Sequence, residues 1–285
     1  MNDNVDILLT TYNTNPQYLI EQIESLLNQT YKNITLIISD DASTKKEVKE
    51  ILQKYKLQDK RIQLFLQEKN LGYNKNFEFL LQKSKANYIM FCDHDDIWYK
   101  NKVEKSLKKI IDEKLDLVYC NAKQIDENGN VLQQNYFKYK NMPLVKGKNN
   151  CLAISRYIGL GCSQIITKGI KEHMLPFSKK VMAHDWLASF LANEGKGIDY
   201  IDEPLFDYRL HNTNIYGGRN LSQNISMWKK KYGSSYISYL KYRNYRVIDK
   251  AYLDGAKMCL EYAMIEQDKK YIEQLIRILP KIKKM

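Results

Sequence analysis

The stretch Tyr88-Ile89-Met90-Phe91-Cys92-Asp93-His94-Asp95-Asp96-Ile97-Trp98 changes character in one step, and that step decides the fold. Its first five residues are nearly all apolar and read as a buried strand. Three carboxylates and a histidine follow directly. Such charge density beside a buried strand is costly without a cation. Hard oxygen ligands suit Mg²⁺ or Mn²⁺, which then bridge to substrate phosphates. The alternative is a solvated acidic turn before a helix, because acids favour helix N-termini.

The same strand-then-polar-end pattern extends both ways. Val5-Asp6-Ile7-Leu8-Leu9-Thr10, Ile34-Thr35-Leu36-Ile37-Ile38-Ser39, Arg61-Ile62-Gln63-Leu64-Phe65-Leu66 and residues 115–120 read as further strands. Between them, helical spacing predicts helices over about 16–28, 44–55 (capped by Ser43 or Thr44), 74–83 and 101–112. Alternation of this kind means a mostly parallel, Rossmann-like α/β sheet covered by helices on both faces. Ligands then bind beyond the carboxyl ends of the strands. After residue 120 the pattern loosens. Asp126-Glu127-Asn128-Gly129-Asn130 reads as a hairpin turn, 133–150 as a mobile polar loop, 163–167 as a strand, 185–193 as a helix, and 197–201 and 205–209 as two strands. From about residue 220 the chain reads as a helical C-terminal extension.

The 285 residues carry 45 Lys+Arg against 33 Asp+Glu, a formal net charge of +12. Residues 221–285 hold 14 basic and 6 acidic side chains, whereas 1–220 hold 31 and 27. The excess therefore belongs mostly to the tail. With 44% hydrophobic residues, few Gly and few Pro, wholesale disorder and low complexity are excluded. The five cysteines are odd in number, scattered and without a CxxC pair, which argues against a disulfide framework or zinc ribbon and fits a reducing cytoplasm. No signal-peptide pattern or run of 18 apolar residues occurs.

Four more clusters carry candidate chemistry. Thr10-Thr11-Tyr12-Asn13 ends the first strand and is suited to a base or ribose, or to plain turn chemistry. Ser39-Asp40-Asp41-Ala42-Ser43 ends the second; one carboxylate can accept from a base N–H and the other can cap a helix. Ala183-His184-Asp185-Trp186 places a carboxylate at a helix start, as a general base or as a structural cap beside a core Trp. Asp207-Tyr208-Arg209-Leu210-His211-Asn212 offers Arg209 to a diphosphate and His211 to a metal or phosphate, or keeps both inside the fold. No P-loop and no G-x-S-x-G elbow is present, and Gly159-x-Gly161 lacks the third glycine of a dinucleotide fingerprint.

In order and spacing over residues 5–216, these clusters together resemble a bacterial family 2 glycosyltransferase of the GT-A fold. Leu9-Thr10-Thr11-Tyr12-Asn13 resembles that family's nucleobase-contacting opening, and Asp40-Asp41-Ala42-Ser43 its DDGS segment, with Ala42 in place of glycine. Asn70-Leu71-Gly72-Tyr73-Asn74-Lys75-Asn76 resembles its N-x-G-x-x-x-N segment, and Asp93-His94-Asp95-Asp96 its metal motif. The resemblance implies nucleotide contacts at Thr10, Thr11, Tyr12, Asp40, Asp41, Gly72, Asn76 and His94. It implies Mn²⁺ or Mg²⁺ at Asp95 and Asp93, with His211 within reach of metal or diphosphate. Asp185 matches the general base, with Arg209, Trp186 and His184 toward diphosphate or acceptor. His184-Asp185-Trp186 with 202–214 is similar to the rhamnosyltransferase branch.

The implied reaction is inverting transfer from a UDP- or dTDP-sugar to a glycan, glycolipid or glycoprotein in cell-surface synthesis. The implied division is a catalytic domain over 1–220 (nucleotide-sugar half about 1–120, acceptor half about 121–220) and a basic tail over 221–285. The implied location is the cytoplasm, at the inner face of the membrane if the tail touches anionic lipid; a helical cap or a homodimer contact are the tail's other roles. Two rivals remain. One is a nucleotidyltransferase, which leaves His184-Asp185-Trp186 without a purpose. The other is a membrane-surface or nucleic-acid binding protein using Trp228-Lys229-Lys230-Lys231-Tyr232 and Lys241-Tyr242-Arg243. Against nucleic acid stands the acidity of the best-formed cluster and the lack of any recognisable motif.

Overall fold

A computed structural model describes residues 2–140, 142, 144–148, 158–177 and 183–211. Its strands form one nine-stranded sheet. They are β1 (Val5–Thr11), β2 (Ile34–Asp40), β3 (Ile62–Leu66), β4 (Tyr88–Cys92), β5 (Ile97–Trp98), β6 (Leu117–Ile125), β7 (Val131–Gln133), β8 (Gln164–Thr167) and β9 (Ile198–Arg209). The order is β3-β2-β1-β4-β8-β6-β9-β5, with β7 hairpinned onto β6. The chain returns from β1 outward to β2 and β3, then crosses to β4 on the other side of β1. That reversal opens a crevice at the carboxyl ends of β1, β2 and β4.

Burial explains the layers. Along β1, Leu8 packs to one side of the sheet and Val5, Ile7 and Leu9 to the other. Ile89 and Phe91 of β4 likewise oppose Met90 and Cys92. One face is covered by α1 (Pro16–Leu27), α2 (Lys46–Gln58) and α4 (Lys102–Asp112), through residues such as Ile23, Leu52 and Leu107. The other is covered by α3 (Tyr73–Lys83), α5 (Tyr136–Lys140), α6 (Lys168–Met174) and α7 (His184–Glu194), through Leu80, Phe137, Met174 and Phe190. The strands are apolar on both sides because both sides are inside.

Four sequence readings change. β8 runs antiparallel between β4 and β6, so β4 and β6 remain parallel to each other without pairing directly. The two short strands expected over 197–209 are one, with its pairing to β6 shifted around Asn121 and Pro204. Proline lacks the N–H a regular ladder needs, and a bulge absorbs that. The 133–150 segment is built in part: α5 buries Phe137, and buried Val145 donates its N–H to the Tyr119 hydroxyl at 2.8 Å. Neither Ser43 nor Thr44 caps α2; Asn13 Oδ1 instead holds the turn just before it, accepting from the N–H groups of Thr44 (2.9 Å) and Lys45 (3.2 Å). The tail over 221–285 lies outside the described residues.

Candidate functional site

The carboxyl end of β2 bends sharply at Ala42, whose φ of +60° is a conformation that favours glycine. The bend sends two adjacent carboxylates to different partners. Asp40 is fully buried, its Oδ1 accepting from the hydroxyls of Thr11 (2.8 Å) and Ser43 (2.5 Å) and its Oδ2 from the Ser43 N–H (2.9 Å). Asp41 accepts from the N–H groups of Leu71 (2.7 Å) and Gly72 (2.9 Å), at the start of α3. Gly72, with φ +81°, gives the turn that presents them. Thr10 is buried, while Tyr12 is 45% exposed at the mouth, an open ring able to stack on a base.

The acidic loop follows β4. His94 bonds through Nδ1 to the Thr10 carbonyl at 3.1 Å, joining this loop to β1. Asp95 shares a hydrogen bond of 2.7 Å between its Oδ2 and Nε2 of His211, which arrives from just beyond β9. Burial raises the Asp93 carboxyl to about 6, with the Asp95 charge adding to it. Burial, then Asp95 and Asp93, push Asp96 well above the usual carboxylate range. Burial also works against Asp95, but His94 and His211 outweigh it and hold that group low.

These residues fit a divalent cation. Among the described residues, ligand atoms of Asp93, Asp96 and Cys162 lie within 4.8 Å of one another. Asp96 Oδ2 is buried with no hydrogen-bond partner. Burial, then Asp96 and Asp93, hold the Cys162 thiol well above its ordinary value, so it stays protonated and is placed to donate to the two carboxylates. The donor set is thus carboxylate with one imidazole nearby, suited to Mg²⁺ or Mn²⁺.

The turn Gly161–Ser163 joins this loop to the candidate base. Cys162 faces Asp93 and Asp96. On its other side, a Cβ on Gly161 would sit 3.1 Å from Asp185 Oδ2 and 3.3 Å from His184 Nε2. Asp185 lies in the first turn of α7, where negative charge is favourable, and its Oδ1 accepts from the Trp186 N–H at 2.8 Å. Asn74 of α3 caps the same helix, its Oδ1 accepting the His184 N–H at 3.1 Å. The turn itself is tied down from below: Lys102, fully buried, donates to the Cys162 carbonyl at 2.7 Å and lies over the rings of Trp98 and Phe206.

Four of the residues picked out in the sequence sit inside the fold. Arg209, expected at a diphosphate, is 2% exposed; its Nε donates to the Asp95 carbonyl (2.9 Å), its NH2 to Glu21 (2.5 Å) and its N–H to Asp96 (3.2 Å), and it stacks over Tyr18. Burying a guanidinium demands such partners, and here they fix the acidic loop. Asn76 is buried with its amide on Ser39 of β2. Trp186 is buried against Phe190. His184 is buried among aromatic rings. Sequence reasoning passed over Gly161, Cys162, Lys102 and Glu21; the one available signal was Gly-x-Gly just before a strand, a mark of close approach.

Comparison with known proteins bears on this arrangement. The family model described as glycosyl transferase family 2 matches residues 6–174. An uncharacterised glycosyltransferase of Methanocaldococcus jannaschii is 30% identical over 239 residues, covering 80% of both chains. The Bacillus subtilis glycosyltransferase TuaG, provisionally named for teichuronic acid biosynthesis, is 24% identical over 91% of this chain and 94% of its own. In fold, the chain is similar to the crystal structure of Staphylococcus aureus TarS 1–349 in complex with UDP-GlcNAc, with a TM-score of 0.62 at 15% identity, over 96% of this chain and 83% of that one.

Proposed function

The chain belongs to glycosyl transferase family 2, and on that footing we propose that it is an inverting transferase moving a sugar from a UDP- or dTDP-sugar to an acceptor hydroxyl in polysaccharide or glycoconjugate synthesis. The observation that carries this reading is the approach of two unlike centres across Gly161 and Cys162. One is the acidic loop, where Asp93 and Asp96 converge beside Cys162 and Asp95 is bonded to His211; the other is Asp185 at a helix start.

Each residue has work in this scheme. Tyr12 offers its exposed ring to the base, while Asp40 and Asp41 hold the loops that frame it. Asp95, Asp93 and Asp96 would hold Mn²⁺ or Mg²⁺, with His211 orienting Asp95; the ion's contribution is to neutralise charge on the departing diphosphate. Asp185 takes the proton of the acceptor hydroxyl as its oxygen attacks the anomeric carbon. One displacement inverts that centre, so no carboxylate nucleophile is required. The family's relation to TuaG supports a surface polymer as the product's destination, and the UDP-GlcNAc complex of TarS supports a UDP-sugar as readily as dTDP-rhamnose. Catalysis at the cytoplasmic face, with the basic tail on anionic lipid, fits such an acceptor.

Titration calorimetry with UDP and dTDP, with and without Mn²⁺, tests the donor site. The wild-type chain should bind one of them in a Mn²⁺-dependent way, and Asp95→Ala should weaken metal and nucleotide together. Unchanged Mn²⁺-dependent binding by Asp95→Ala would contradict the assignment.

A further inference from the structure

Large apolar side chains exposed singly over a surface are ordinary, but here they gather. Of the seven exposed among the described residues, four fall between positions 131 and 144: Val131, Leu132, Tyr139 and Leu144, each between 42% and 51% exposed. Lys138, Lys140 and Lys148 are exposed in the same stretch, and no Asp or Glu occurs from 131 to 148. Lys146 differs from these lysines in being paired with Asp199 at 2.8 Å.

The stretch is laid out along β6. Val131 pairs with Ile125, the Phe137 N–H donates to Asn121 Oδ1 at 3.0 Å, and the Val145 N–H donates to the Tyr119 hydroxyl at 2.8 Å. Phe137 and Val145 enter the core, which leaves Lys138, Tyr139, Lys140 and Leu144 outward. Lys140 Nζ lies 4.8 Å from the Tyr139 ring centroid, so cation and ring are presented together. The nearest acids in sequence, Asp126 and Glu127, stand in the hairpin turn, where Asp126 accepts from the N–H groups of Asn128 and Asn130.

Charge and apolarity together select the occupant. The described chain ends beside this hairpin, the Leu210 N–H donating to the Ile125 carbonyl at 2.8 Å. Residues 221–285 then carry 14 basic and 6 acidic side chains. A tail of that charge is a poor cover for a lysine-bearing surface, because like charges repel. A soluble polyanion would match the lysines and leave Leu132 and Leu144 in water. An anionic bilayer takes both, with ammonium groups at the headgroups, aliphatic side chains beneath them and a tyrosine at the boundary.

We propose that β7, α5 and Leu144 form a docking surface for an anionic lipid bilayer. The hairpin turn links that surface to the site: the Glu127 carbonyl accepts from Tyr18 (3.2 Å) and from Arg209 NH1 (3.3 Å), and the same Arg209 holds the Asp95 carbonyl. Docking would therefore bring the acidic loop to the membrane surface. The purpose of this surface, access to a membrane-borne acceptor, rests on the glycosyl-transfer reading; its lipid binding is measured without it.

Flotation of the full chain tests the proposal, with vesicles of phosphatidylcholine alone and of equal parts phosphatidylcholine and phosphatidylglycerol. The wild type should float with the mixed vesicles only. The pair Leu132→Ser with Tyr139→Ser, and the pair Lys138→Gln with Lys140→Gln, should each weaken that partitioning at least about tenfold. Both leave the tail intact, change only exposed side chains, and should keep the unfolding temperature and the solution affinity for UDP or dTDP within about twofold of wild type. Absence of wild-type flotation overturns the proposal. So does unchanged partitioning in both pairs, which assigns lipid binding to the tail, or a loss confined to the lysine pair, which makes the surface a reader of polyanions. A wild type that floats yet binds no nucleotide overturns the glycosyl-transfer reading and leaves the docking surface standing.

Discussion

Ala42 holds a left-handed backbone at φ +60°, and that single strained residue lets Asp40 and Asp41 diverge. A Cβ there costs energy that glycine does not incur. Ala42→Gly should raise stability by about 0.5–1 kcal/mol, measured by denaturant unfolding. Asp185→Asn should lower turnover by about 10²-fold or more while leaving nucleotide affinity nearly intact; unaffected turnover would assign the base elsewhere. His184 supplies a pH signature. Its folded value of about 3 lies below the unfolded value of 6.5, so its contribution is complete above about pH 6.5. As pH falls from there toward 3, stability should drop by up to about 1.4 kcal/mol per unit, and in His184→Phe that part of the slope should vanish. At this scale residue types near the strand ends were legible, because buried strands followed by carboxylates admit few explanations. The destinations of Arg209 and Asn76 were not. A buried guanidinium on Glu21 and one on a diphosphate leave the same letter in the sequence.

Elements explain how these side chains are held. Strands β1 to β4 and the helices between them were readable, since apolar runs alternated with helical spacing. The antiparallel insertion of β8 was not, because nothing in four apolar and polar residues states which neighbour they pair with. Nor was the hold of Asn74 on the start of α7, or of Asn13 on the turn before α2, visible, because each comes from another element. Lys102 shows the same dependence. The sequence places it only within the helix over 101–112, yet it is wholly buried and holds the turn that separates the acidic loop from Asp185. Lys102→Met keeps most of the volume and loses the hydrogen bond to the Cys162 carbonyl. It should cost about 1–3 kcal/mol of stability and slow catalysis more than it weakens nucleotide binding. A second element-level check lies at the start of β9. Burial would raise Asp199, but hydrogen bonds led by Lys146, and including Lys109, bring it down to about 2. Its folded value is below the unfolded one, so its contribution is full above about pH 4 and is lost as pH falls toward 2. Asp199→Asn should flatten acid unfolding in that window.

The described residues form a three-layer α/β body whose working edge is set by the reversal between β1 and β4. Its net charge of +12 does not describe that edge, since residues 1–220 are nearly balanced and place carboxylates where a cation fits. No helix among the described residues is long and apolar enough to cross a membrane. The central claim is sugar transfer with departure of a nucleoside diphosphate, and product identity tests it most directly. The chain should be incubated with Mn²⁺ and a panel of UDP-glucose, UDP-galactose, UDP-GlcNAc and dTDP-rhamnose, and the released nucleotide separated by anion exchange. The account predicts UDP or dTDP from at least one donor, with Asp95→Ala and Asp185→Asn suppressing it. Release of pyrophosphate, or of no nucleotide from any donor the chain binds, would contradict it.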